Sequence, residues 1–355
     1  MKQWLIAFTV LSLLLLTLLP ACGGDGAEET PTTSPTITTI PITSPTATMG
    51  PTATPSPTST PMPLPTIVAE PWLKLTDDPK FLPEGPAFDR EGNLYFVNVY
   101  GSGKVFKVTM ADKKITTIYD GGRGVFSSVD IHKDGRLFVC DFIFGKIIAM
   151  NPDGTGVTEI LTSYKGGKIN PDDMIFDHKG NFYFTDLQGS VDNPTGRVFR
   201  VSSNLETIDL VTDGLAHPNG ISLAPGESQL WIGEYGRQAL AELNLGDDGI
   251  TLLSDVKTVY QFTGSGFPDS NAVDEEGNIY QCLVGDGKIV VLNKDGVPVA
   301  EIVTPGRDEG KQLNTTNLAF QPGTDKAFMT VGGDDGAYIL TFRGLAKGLP
   351  LFSHQ

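Results

Sequence analysis

Six times along this chain, a tight turn containing Gly is followed by two apolar, strand-like runs with a second turn between them. The copies read DREGNLYFVN…GKVFKV, HKDGRLFVCD…GKIIAM, DHKGNFYFTD…GRVFRV, APGESQLWIGE…QALAEL, DEEGNIYQCL…GKIVVL and QPGTDKAFMT…GAYILTF. Their turn glycines are Gly92, Gly135, Gly180, Gly226, Gly277 and Gly323, roughly 43 to 51 residues apart, a period that suits one four-stranded propeller blade. Short alternating runs between Gly, Asp and Asn turns are the mark of meandering antiparallel sheet. No long segment has a helical period. The repeat therefore predicts an all-β chain, a six-bladed β-propeller.

The repeats do not begin at the N-terminus. Lys2, the apolar run Leu5 to Leu19 and the sequence Leu19-Pro20-Ala21-Cys22 have the order of an export signal. A small residue before Cys at the end of such a run resembles the bacterial lipoprotein processing box, so residues 1–22 are expected to be a signal peptide, with Cys22 lipidated. Residues 23–66 are Thr, Pro and Ser with almost no aromatics. Such a tract cannot bury enough apolar surface to offset chain entropy, and its prolines favour extended conformations. It is expected to be a disordered stalk that carries a propeller of residues 67–355 away from a membrane, outside the cytoplasm.

Charge and cysteine usage remove several function classes. With a net charge of -16 among 355 residues, the chain is a poor partner for nucleic acid. Three cysteines, Cys22, Cys140 and Cys282, are too few for a disulfide scaffold. Cys140 and Cys282 stand in strand-like runs and are expected to be buried, inert thiols. Four histidines without HxH or HExxH spacing argue against a zinc site.

The repeat also aligns side chains. Counting eight residues back from the turn glycines gives Glu84, Ser127, Asp172, Asp269 and Thr315, and Asn219 stands seven before Gly226. Equivalent positions in a propeller lie at one depth around the axis, so these oxygen-bearing groups are predicted to converge. Three are carboxylates, which would repel one another unless a cation compensated. Hard oxygen donors without Cys or His select Ca²⁺, with Mg²⁺ or Mn²⁺ as substitutes. For Ser127 and Thr315, bonding to backbone in the channel remains an alternative. Asp89, Asp134, Asp177 and Asp274 fall inside the turns, where Asp caps its own backbone.

Several motifs then carry a family resemblance. The E-G-P at Glu84, P-N-G at Asn219 and P-D-S at Asp269 resemble the regucalcin/gluconolactonase/luciferin-regenerating-enzyme family of calcium propellers. IHKDGRLFVC, DDMIFDHKGNFYFTD, NPTGRVFRVS and the final FRGLAKG look most like its drug-responsive lactonase group. The resemblance implies an axial Ca²⁺ bound by Glu84, Asp172, Asn219, Asp269 and Ser270. It also implies that Asp269 is the acid/base residue. A second calcium site of that group is not expected here, because the stretch after Cys140 is shorter and has Tyr164 where an Asp would stand.

The resulting expectation is a calcium-dependent lactonase acting on small lactones, with Ser127, Asp173 and Thr315 as substrate-binding residues. The expected protein is a monomer, held to the membrane only by its lipid. Two other classes use the same residues: a propeller that binds a ligand or protein without catalysis, and another hydrolase, such as a phosphoesterase, on the same calcium.

Overall fold

The computed structural model describes residues 63–101 and 103–355. The expected signal peptide, Cys22 and all but the last few residues of the Thr/Pro/Ser tract lie outside these residues. The described chain forms one compact unit and is built from strands, with only two short 3-10 turns, Arg307–Glu309 and Phe352–His354. Regular structure begins at Thr66, one residue before the expected domain boundary, with β1 (Thr66–Val68) and β2 (Glu70–Thr76).

Four separate four-stranded antiparallel sheets follow in chain order. The first holds β3 (Pro83–Phe88), β4 (Leu94–Asn98), β5 (Lys104–Thr109) and β6 (Lys114–Asp120). The second holds β7 (Phe126–Ile131), β8 (Leu137–Asp141), β9 (Lys146–Met150) and β10 (Thr158–Leu161). The third holds β11 (Pro171–Phe176), β12 (Phe182–Asp186), β13 (Gly196–Val201) and β14 (Ile208–Leu215). The fourth holds β15 (Pro218–Leu223), β16 (Gln229–Glu234), β17 (Ala239–Asn244) and β18 (Lys257–Gln261).

The remaining strands form a nine-stranded sheet. One meander in it is β19 (Phe267–Val273), β20 (Ile279–Val284), β21 (Lys288–Leu292) and β22 (Pro298–Val303), extended by β1 running parallel to β22. The other is β23 (Asn314–Phe320), β24 (Lys326–Gly333) and β25 (Gly336–Arg343), completed by β2 antiparallel to β25. The two meanders join only where Val284 pairs with Asn314.

Each meander repeats the same physical gradient. Its second strand is mostly apolar and almost wholly buried, as in LYFVN of β4 and FYFTD of β12, because it is covered on both faces. Its last strand is less buried than its second, most of all in KITTIYD of β6. The turn glycine between first and second strands has φ between +71° and +90° in all six copies, a conformation that side-chain-bearing residues avoid. The turn carboxylates act as caps: Asp177 Oδ1 accepts from the amides of Lys179 and Asn181, both at 2.9 Å. Asp89, Asp134 and Asp274 do the same in their own turns.

The core is divided into six apolar clusters, each between meanders consecutive in the chain or between the last and the first. Phe138 and Cys140 meet Met174, Phe176 and Phe182 in one of them. The six first strands neighbour one another in a closed cycle: β3, β7, β11, β15, β19, β23 and back to β3. The result is an all-β, propeller-like fold with the first strands around its axis.

Candidate active site

In every meander the pairing of first and second strands slips by one residue near the start of the first strand. On β3, Glu84 faces Val97, but Ala87 faces Tyr95. On β19, Pro268 faces Leu283, but Asn271 faces Gln281. Each slip is a bulge with one extra residue on the axial strand, the kind of irregularity that re-aims a side chain. Glu84, Ser127, Asp172, Asn219, Asp269 and Thr315 all lie at or beside these bulges. The repeat register thus places them at one end of the six axial strands.

The glycines of E-G-P and P-N-G explain how these strands come so close. A Cβ on Gly220 would lie 2.5 Å from both the carbonyl oxygen of Asp269 and Cα of Ser270. One on Gly85 would lie 2.6 Å from Cα of Ser128. Backbones of neighbouring axial strands therefore approach to a distance that no side chain permits.

The electrostatics are those of crowded, buried carboxylates. Glu84 and Asp269 are 5% and 7% exposed, while Asp172 and Asn219 are half-buried. Burial first, and then the charges of Asp269, Asp173 and Asp172, hold Glu84 well above the usual carboxylate range. Asp269 is raised in the same direction by burial and by Asp172 and Asp173, against a hydrogen bond from the Asn219 side chain. Burial and the Asp173 charge push Asp172 up to about 8, and burial pushes Asp173 up to about 7 despite a hydrogen bond from the Ser270 side chain.

The structure assigns different contacts to the other expected residues. Ser127 Oγ donates to the Asp172 carbonyl at 2.9 Å, so its proton serves the backbone of the next meander. Thr315 is fully buried, and its hydroxyl lies 2.8 Å from the Leu283 carbonyl and 3.0 Å from that of Lys288. Both therefore follow the backbone-bonding alternative in their hydroxyl contacts. Asp173 also lines a cavity of about 100 Å³. Asp130, Ser222, Asn271 and Asn317 share that cavity, and Leu349–Phe352 lines it as well. Cys140 and Cys282 are fully buried free thiols, raised by burial. The Tyr164 ring lies tilted against that of Phe199, with Lys165 and Arg197 over it.

Sequence reasoning passed over two groups. The last residue of the second strand is Asn98, Asp141, Asp186 or Glu234 in the first four meanders. Each accepts from the amide that leads into its axial strand: Asn98 from Leu82 at 2.9 Å, Asp141 from Val125 at 3.4 Å, Asp186 from Asn170 at 2.5 Å and Glu234 from Ala216 at 2.6 Å. The signal was in the repeat itself, in the endings FVN, FVCD, FTD and IGE.

The second group is aromatic and lies near Asp269. Tyr235 stacks on Phe267 with ring centroids 4.7 Å apart, and its amide donates to the His217 carbonyl at 3.0 Å. Tyr235 thus rests between the segments that carry Asn219 and Asp269. Burial and the Asp269 charge raise the phenols of Tyr100 and Tyr235, which keeps both protonated. Burial lowers His217, favouring its neutral form.

The residues present fit a hard cation. Oδ1 of Asn219 is buried and has no hydrogen-bond donor, an arrangement that costs free energy unless a positive partner is supplied. Among the described residues no three His, Cys, Asp or Glu side chains form a metal cluster by themselves. An ion on this axis would need the amide oxygen of Asn219 alongside Glu84 and Asp269, an all-oxygen set suited to calcium.

Residues 82–333 match the SMP-30/gluconolactonase/LRE-like region. Lactonase drp35 of Staphylococcus haemolyticus is 38% identical over 299 residues, covering 82% of this chain and 91% of that protein. Lactonase drp35 of Staphylococcus saprophyticus is 40% identical over 291 residues, covering 80% and 89%. Among solved structures, a luciferin-regenerating enzyme superposes with a TM-score of 0.67 at 19% identity, covering 80% of this chain and 98% of its own. A calcium-binding regucalcin from Agrobacterium tumefaciens gives 0.66 at 17% identity, with the same coverage. The chain belongs to the SMP-30/gluconolactonase/LRE-like family.

Proposed function

We propose that this protein is a lactonase, a carboxylic ester hydrolase whose activity depends on Ca²⁺ held at the axial end of a six-bladed propeller. The blade count is supported by the six turn glycines, the six interfacial clusters and the single Val284–Asn314 pairing within the nine-stranded sheet. The activity is carried by one observation: a chain 38% to 40% identical to staphylococcal lactonases brings Glu84, Asn219 and Asp269 together around a buried amide oxygen without a donor.

Glu84, Asp172, Asn219 and Asp269 would hold the ion, with Ser270 beside them. When bound, Ca²⁺ supplies positive charge to the lactone carbonyl oxygen as negative charge develops there. Asp269 takes a proton from the attacking water and returns it to the ring oxygen as the acyl C–O bond breaks. Water is thereby divided between the new carboxyl group and the new hydroxyl, which completes the balance. The protonated phenols of Tyr100 and Tyr235 near Asp269 would face the substrate, with the Tyr235–Phe267 pair as an apolar wall.

The same reading places the enzyme outside the cytoplasm, tethered through a lipid on Cys22, with the domain acting as a monomer. Support for the location and the lipid comes from the N-terminal sequence.

The test is hydrolysis of a panel of aliphatic and aromatic lactones by the full chain, stripped with chelator and titrated with Ca²⁺. Turnover is expected to vanish on chelation and return with calcium. Asp269→Asn at saturating Ca²⁺ is expected to lose about 100-fold or more, the usual contribution of a general base. Tight calcium binding without cleavage of any lactone would favour a binding propeller or a phosphoesterase instead.

A further inference from the structure

The residues that would hold the ion are themselves held, at their backbones, by buried polar side chains that do not belong to the ligand set. Thr185, on β12, is fully buried. Its hydroxyl donates to the Asn219 carbonyl at 2.5 Å and accepts from the Asp173 amide at 3.2 Å. One side chain thus ties the strand carrying Asp172 and Asp173 to the strand carrying Asn219. Gln281, on β20, is also fully buried. Its Nε2 donates to the carbonyls of Asp269 at 2.7 Å and Ser270 at 3.2 Å, while its Oε1 accepts from Asn271 at 3.2 Å.

The remaining ligand strands are tied in the same sense around the axis. Thr316 of the last meander donates to the Pro83 carbonyl, next to Glu84, at 2.7 Å. Ser127 of the second donates to the Asp172 carbonyl of the third at 2.9 Å. In these two contacts, and in that of Thr185, a hydroxyl of one meander grips the ligand strand of the next.

From this geometry we infer that Thr185 and Gln281 are positioning residues for the axial cation. They touch neither ion nor substrate. They fix the bulged backbone on which Asn219, Asp269 and Ser270 are carried, so that the oxygens face one point before an ion arrives. A bulge is a locally unpaired stretch of strand, and without such ties its two carbonyls would be free to rotate. Residues that orient metal ligands from behind commonly govern affinity by 10- to 100-fold.

The inference rests on the calcium reading above, and its test separates the two. Ca²⁺ is titrated calorimetrically into the full chain as wild type, Thr185→Val, Thr185→Ser and Gln281→Met, with the calcium-free melting temperature recorded for each. Val keeps the volume of Thr without the hydroxyl, and Met keeps the length of Gln without the amide. Thr185→Val and Gln281→Met are expected to bind calcium about 10- to 100-fold more weakly. Thr185→Ser, which retains the hydroxyl, is expected to bind within about threefold of wild type. Lactone turnover lost in the weakened variants is expected to return when calcium is raised above the new dissociation constant, a rescue that a general loss of packing would not give.

If wild type itself binds no calcium, the functional reading falls and the positioning role with it. If wild type binds and both variants bind equally well, the positioning role alone is overturned. Should Thr185→Val melt below the assay temperature, Gln281→Met decides the matter, since it releases the Asp269 end of the same site.

Discussion

Asn219 divides its side chain between two tasks: the amide hydrogen-bonds Asp269, and the buried Oδ1 is left without a donor. That division depends on the crowding of carboxylates about it, and the crowding has a measurable pH signature. Asp130 and Asp173 are raised to about 7 and Asp172 to about 8, from an ordinary 3.8, with burial the first cause in each. In the window between these values the folded protein keeps protons that the unfolded chain has released. Stability of the calcium-free protein is therefore expected to fall as pH rises from about 5 to about 8. Calcium binds the ionised carboxylates, so its stabilising effect is expected to be larger at the upper end of that range. Melting temperatures at both pH values, with chelator and with Ca²⁺, check this. A calcium-free melting temperature that held steady or rose across the window would contradict it. The carboxylates that hydrogen bonds hold low, such as Asp248 at about 2, lose their contribution only at more acid pH and do not disturb the sign.

Strands decide whether those residues meet. An ideal β3 or β15 would alternate its side chains between faces, and a single bulge breaks that alternation where the ligands stand. The bulge requires room as well as an extra residue. At Gly220 the space is already filled by the backbone of Asp269 and Ser270, 2.5 Å from where a Cβ would be. Gly220→Ala is expected to push the β19 bulge away, lowering stability by about 2 kcal/mol and weakening calcium binding with it. Chemical denaturation and calorimetry together check both effects, and an unchanged calcium affinity would show that the two strands move independently. At Gly85 a φ of +55° adds backbone strain to the same close approach. Turn chemistry was plain in the repeat, because a Gly at a fixed interval reports a local conformation. The bulges were not, because a one-residue slip leaves the pattern of apolar residues in the second strand unaltered. Thr185 and Gln281 were equally silent: a Thr or Gln in a buried strand is conspicuous only once its partner on another strand is known.

The whole molecule adds closure. β2, from the start of the described chain, supplies the last strand of the final meander by pairing with β25, and β1 lies parallel to β22. Trp72 on β2 meets Phe328 edge-on at 5.1 Å. A chain shortened to begin at Pro63 keeps both strands and is expected to melt as the full chain does. A chain beginning at Asp77 leaves the β25 edge open, which invites aggregation. Its cooperative transition is expected to be lost or sharply lowered in calorimetry. A truncated protein with the full melting temperature would mean that closure by β2 contributes nothing.

The amino-acid sequence alone determined the β architecture, the position of the turns and the common height of Glu84, Ser127, Asp172, Asn219, Asp269 and Thr315, since each follows from a period repeated along the chain. It also marked Cys140 and Cys282 as buried, because apolar strand runs surround them. Only the tertiary structure decided which of those polar residues spend their protons on backbone, as Ser127 and Thr315 do, and which are left crowded on the axis. Only it brought Tyr100 and Tyr235 beside Asp269, with Tyr235 stacked on Phe267. The physical reason is one of range. Periodicity records what each residue needs from its neighbours in sequence, whereas a hydroxyl on β12 that grips a carbonyl on β15 exists only after the axial strands have closed their cycle.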